Sequence, residues 1–138
     1  MKSNKSLGNN FESSFCELLS EYGYWSHNMA ANASGQPADI IAAKDGKSYL
    51  IDCKVCSNGK FSFSRIEENQ TYAMKLWEKC GNGQGWFALL LEESVYMIPR
   101  SIIEKYSETQ SGFNADEIVY YGVPFEIWNG TYESVGAL

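Results

Sequence analysis

Pro37-Ala38-Asp39-Ile40-Ile41-Ala42-Ala43-Lys44-Asp45-Gly46-Lys47-Ser48-Tyr49-Leu50-Ile51-Asp52-Cys53-Lys54-Val55 is the stretch that decides how this chain folds. Two apolar runs, residues 38–42 and 49–55, flank Asp45-Gly46. An Asp-Gly pair between strand-like runs signals a type I′ hairpin, because that turn needs positive φ at both central residues. With Asp45 and Gly46 as the turn, Lys44 faces Lys47 and Asp39 falls opposite Asp52. Their Cβ atoms would then lie ~5 Å apart on one face, and alternation puts Lys54 on that face as well. A bulge or a longer turn would slide this register. Like charges facing each other destabilise a hairpin, so a fold that keeps the pair calls for a cation. Two carboxylates offer the hard oxygen ligands that suit Mg²⁺ or Mn²⁺.

Working outward, residues 9–22 predict a helix. Phe11, Phe15, Leu18, Leu19 and Tyr22 form one apolar stripe, and Gly23 is a natural stop. Glu12 adjoins the stripe and can reach inward. Residues 24–31 predict a first strand and residues 32–36 a polar loop. Phe61-Ser62-Phe63 alternates and briefly extends the sheet. A second helix is expected from Ser64, because Ser64-Arg65-Ile66-Glu67 fits a capping box. Gln70 is the polar member of its otherwise apolar face, with Ile66, Ala73 and Trp77. Residues 86–91 form an apolar run that suits a central strand covered on both faces. Residues 94–98 are its hairpin partner, and a short helix follows over 100–106, after Pro99. Residues 118–121 and 125–128 are expected as short edge strands or packing segments.

The 138 residues, 44% of them hydrophobic and 14% aromatic, suit one folded domain, with a core over about 7–106 and an acidic extension over 107–138. No apolar run is long enough to span a membrane, and the first residues do not read as a signal peptide, which points to the cytoplasm. The four cysteines fit a reduced compartment. Cys53 and Cys56 form a lone CxxC, and with His27 the only histidine a zinc site is disfavoured. Net charge is −6. Residues 1–80 hold nine basic and nine acidic side chains, whereas residues 81–138 hold two and eight. The negative excess is thus C-terminal. A general nucleic-acid coat protein is disfavoured, but an enzyme with its cations around one groove is not. Lys2, Lys5, Lys44, Lys47, Lys60 and Arg65 are the candidate nucleic-acid contacts, with Lys54 beside them.

These elements resemble the PD-(D/E)XK nuclease superfamily. Pro37-Ala38-Asp39 matches its "PD" element and Asp52-Cys53-Lys54 its "(D/E)XK" element. Within it, the chain is most similar to Holliday-junction resolvases of the RecU type, on Gly8, Phe11-Glu12, Gln70, Gly85-Trp86-Phe87 and Tyr96-Met97-Ile98-Pro99. The resemblance covers roughly residues 5–105. It implies a restriction-endonuclease-like α/β sandwich, with helices flanking a central mixed sheet in an αβββαβ core. It also implies a Mg²⁺-dependent DNA endonuclease, structure-specific and homodimeric. Asp39 and Asp52 would bind the metal with Glu12, Lys54 would act on the reacting phosphate or water, and Gln70 would support them. The alternative readings are a non-catalytic nucleic-acid- or protein-binding module on the same fold, and a nuclease of another substrate class, restriction-type or single-strand-specific.

Overall fold

The computed structural model describes residues 4–29 and 36–129; Lys2, residues 30–31 of the expected first strand and residues 32–35 of the expected loop lie outside them. The elements run α1 (Asn4–Glu21), β1 (Trp25–Asn28), β2 (Ile40–Lys44), β3 (Lys47–Val55), β4 (Lys60–Ser62), a 3-10 turn (Phe63–Arg65), α2 (Glu68–Lys79), β5 (Gly85–Leu91), β6 (Ser94–Pro99), α3 (Arg100–Ser107), β7 (Gly112–Asn114), α4 (Ala115–Tyr121), β8 (Val123–Pro124) and one last helical turn, α5 (Phe125–Ile127). Six strands form one sheet in the order β1-β2-β3-β5-β6-β8, while β4 and β7 form a separate ribbon. Among the described strands, only β3 and β5 run parallel. Parallel neighbours need a long crossover, and α2 lies within it.

The sheet is covered on both faces, as an α/β sandwich requires. On one face Phe11, Phe15 and Leu19 of α1 pack against Ile40, Ala42, Ile51, Cys53 and Trp86. On the other, Met74 of α2 and Ile103 of α3 pack against Leu50, Phe87, Leu89 and Ile98. Double coverage explains why β5 reads as a continuous apolar run. At its first residue, Gly85, α2 approaches closely: a Cβ there would overlap the Met74 side chain.

Three details depart from the sequence reading. First, α2 starts at Glu68, with Glu67 as its N-cap and Gln70 completing the capping box. The segment around Ser64 instead makes the 3-10 turn, because Phe63 packs edge-on against Phe113 and the Ser64 hydroxyl pairs with Ser62. Second, the strand over Lys60–Ser62 pairs with β7 and not with the main sheet. Third, the regions around 118–121 and 125–127 are helical, α4 being capped by Asn114 and Glu117. Residues 112–128 supply Phe113, Ile118, Phe125 and Trp128 to the core, so this acidic part is built into the fold. Among the described residues no helix is long and apolar enough to cross a membrane.

Candidate active site

The β2–β3 hairpin keeps the expected register from Lys44↔Lys47 to Ile40↔Ile51. Asp45 and Gly46 have φ of 51° and 78°, the positive pair that a type I′ turn demands. One residue further the ladder breaks. Asp39 donates its N–H to the Ile51 carbonyl at 3.1 Å, so Asp39 and Ile40 oppose one residue, in the manner of a β-bulge. β2 ends there, whereas β3 continues to Val55 alongside β5. Beyond Ile51 the β2-side edge of β3 is therefore open. The Cys53 N–H on that edge finds its acceptor in Asp39, whose Oδ2 lies 2.7 Å away.

Asp52 is fully buried. Its Oδ1 accepts from Gln70 Nε2 at 2.8 Å, and Gln70 Oε1 accepts from the Glu67 N–H at 3.1 Å. One side chain thus caps α2 and holds the carboxylate. Lys54 Nζ stands 3.2 Å from Asp52 Oδ2, yet Oδ2 receives no aligned hydrogen bond from any described group. Glu12 arrives from α1, with its carboxyl within hydrogen-bonding reach of Asp39.

Three acids share this space, and it shifts Glu12 and Asp52. Burial, and then the Asp39 charge, push Asp52 well above the ordinary carboxylate range; Lys54 pulls the other way without cancelling them. Burial and Asp39 raise Glu12 from 4.5 to about 7. Burial also raises the Cys53 thiol well above its usual range and Cys56 to about 11. Both cysteines are buried and all four are free, so neither CxxC thiol is poised to react.

The residues fit a hard divalent cation. Donors are all oxygen, the carboxyls repel one another, and the buried Asp52 Oδ2 has the Lys54 ammonium beside it but no aligned hydrogen bond. A cation there would answer each of these. Among the described residues no three His, Cys, Asp or Glu side chains converge tightly enough to enclose an ion alone.

The candidate DNA-binding cations do not all gather here. Arg65 does: its guanidinium donates to the Val55 carbonyl at 2.8 Å, one residue past Lys54. Lys60 is exposed on β4. Lys44 and Lys47 sit at the far end of the hairpin, five residues or roughly 17 Å from Asp52. Lys44 is engaged there by the Tyr22 carbonyl at 2.7 Å and the Tyr24 ring. Lys5 lies in the first turn of α1, where only the backbone is described. Sequence reasoning missed two contributors: the Cys53 N–H that orients Asp39, and the exposed pairing of Trp25 with His27 on β1. Only the i, i+2 spacing of the latter two residues signalled that contact.

The family model for archaeal Holliday junction resolvase (Hjc) matches residues 3–135. The chain belongs to that family. Its members are structure-specific, metal-dependent endonucleases that hydrolyse DNA, and the PD-(D/E)XK resemblance of the sequence is borne out. The structure of Archaeoglobus fulgidus Hjc, a Holliday junction resolvase from an archaeal hyperthermophile, superposes with a TM-score of 0.70 at 17% identity. The match covers 89% of this chain and 100% of that one, which establishes the restriction-endonuclease-like fold. No curated protein matches the chain.

Proposed function

We propose that this resolvase-family protein cuts four-way DNA junctions in the cytoplasm as a homodimer, using Mg²⁺, with Mn²⁺ as a substitute. Its active-site set is Glu12, Asp39, Asp52, Lys54 and Gln70. The observation that carries the assignment is the open edge of β3. There Asp39, Asp52 and Lys54 converge, and the buried Asp52 Oδ2 has the Lys54 ammonium 3.2 Å away but no aligned hydrogen bond.

Asp39 and Asp52 would hold the ion, and Glu12, reaching in from α1, would hold a water beside it. In an extended strand the N–H and C=O of one residue point to the same edge. The Cys53 carbonyl therefore faces the site along with the N–H that Asp39 accepts, as a further oxygen ligand. A bound divalent ion polarises a phosphate oxygen and lowers the pKa of its water. Lys54 places an ammonium beside the same carboxylate, where it stabilises negative charge developing on the phosphate. Gln70 fixes the rotamer of Asp52 through its two-sided hydrogen bonding. Arg65 contacts the neighbouring phosphate. Lys60 lies further along, and Lys5, Lys44 and Lys47 meet DNA only where it extends beyond the site.

Titration calorimetry with MgCl₂ and MnCl₂ in the absence of DNA tests the metal assignment. Wild type should bind the ion and Asp39→Asn should not. Equal binding by both proteins would remove Asp39 from the metal site.

A further inference from the structure

Trp25 is 64% exposed and lies nearly parallel to His27, with ring centroids 6.2 Å apart and an interplanar angle of 19°. A single exposed tryptophan is ordinary, but the position of this pair is not. Register places Trp25 opposite Ala43 and His27 opposite Ile41 on β2, and these in turn lie opposite Ser48 and Leu50 on β3. Directly paired residues point to the same face, and along β3 that face continues from Ser48 and Leu50 to Asp52 and Lys54. The two aromatics therefore share a sheet face with the catalytic carboxylate and ammonium. On the opposite face, Ser26 donates to the Cys16 carbonyl of α1 at 2.9 Å, which confirms that Trp25 and His27 point away from that helix.

Two strand spacings across and two residues along put His27 roughly 12 Å from Asp52, and Trp25 roughly 16 Å. At ~3.4 Å per stacked step, that is about three to five nucleotides from the phosphate being cut. Resting on the resolvase reading above, we propose that Trp25, backed by His27, is a stacking platform for a nucleobase exposed at the branch point of the DNA substrate. In unbroken duplex both faces of every base pair are covered by neighbours, so a flat aromatic surface has nothing to stack on. A branch point uncovers base-pair faces, and any base can stack because each has a π-face. The pair would thereby supply preference for branched over linear DNA, without reading sequence.

The test uses the full chain with CaCl₂ or EDTA, so that binding is measured without cleavage. Probes are a four-way junction with 2-aminopurine at successive positions from the exchange point, and a linear duplex of the same sequence. Wild type should prefer the junction and change 2-aminopurine emission at one position within about five nucleotides of the cut. Trp25→Ala should lose about five- to a hundredfold in junction affinity, lose less than about threefold on the duplex, and abolish the emission change. Trp25→Phe should restore most of the affinity. His27→Ala, which leaves Trp25 unsupported, should fall between. Melting curves confirm that each variant is folded. Undiminished junction affinity in Trp25→Ala, or an equal loss on both DNAs, overturns the platform while leaving the resolvase reading intact. A wild type that shows no junction preference overturns the resolvase reading instead, and the platform with it.

Discussion

Asp52 is a carboxylate placed where a carboxylate should not be charged. It is fully buried, faces Asp39, and has one oxygen that meets the Lys54 ammonium at 3.2 Å without an aligned hydrogen bond. Asparagine has nearly the shape of its protonated form, so Asp52→Asn should relieve the repulsion that a metal would otherwise neutralise. The expected outcome is a metal-free melting temperature at or above wild type at neutral pH, with cleavage down at least ~100-fold. A lower melting temperature with retained cleavage would contradict this. Glu12 makes a related prediction. Its pKa in the fold, about 7, lies above its unfolded value of 4.5. The metal-free native state therefore binds the proton more tightly, and its stability is full below the unfolded pKa and declines as pH rises towards the folded one. Denaturant titrations of the metal-free protein should show that loss between about pH 4.5 and 7, and Mg²⁺ should restore more stability at the upper end. Of these acids, Asp39 and Asp52 were legible because a two-residue turn dictates register. The bulge at Asp39 was not, because nothing local distinguishes a strand residue from one that turns its N–H to the neighbouring carbonyl.

At the scale of elements, α2 links fold and chemistry. Gln70 satisfies the Glu67 N–H at the helix start and Asp52 Oδ1 in the site with one amide. Gln70→Ala should cost about 1–3 kcal/mol in chemical unfolding, from the two polar partners left unpaired. It should also lower the cleavage rate at saturating DNA more than it weakens DNA binding. The next contact of α2 with the sheet is equally constrained, since Gly85→Ala drives a methyl into Met74 and should cost about 1–3 kcal/mol by overpacking. The sequence reading found the helix and its inward glutamine but placed the cap at Ser64. A Ser-x-x-Glu pattern is a local signal, and the packing of Phe63 on Phe113, some fifty residues on, overrode it. The helical turns after residue 114 were missed for a related reason. They are too short for a periodicity to show, although Asn114 and Glu117 already spell a capping box.

For the whole molecule, the open β3 edge exists because the sheet is held together elsewhere. α1 covers one face, and the aromatic cluster of Tyr24, Tyr49, Trp86, Phe125 and Trp128 closes it from below. Trp128→Ala should therefore cost about 3–5 kcal/mol, although it lies in the acidic C-terminal extension. Fold class was readable from the order and period of the elements. The participation of the C-terminal part was not, because its contacts are long-range and its composition is polar. The central claim is that the acids and lysine gathered at that edge cut branched DNA with a divalent ion. It is tested most directly by incubating wild type, Asp52→Asn and Lys54→Ala with labelled four-way, flap, linear-duplex and single-stranded DNA, with MgCl₂ or EDTA. The account predicts cleavage of the four-way junction in preference to the others, by wild type alone and with MgCl₂ alone. Cleavage that survives EDTA or either substitution, or that favours linear or single-stranded DNA, would contradict it.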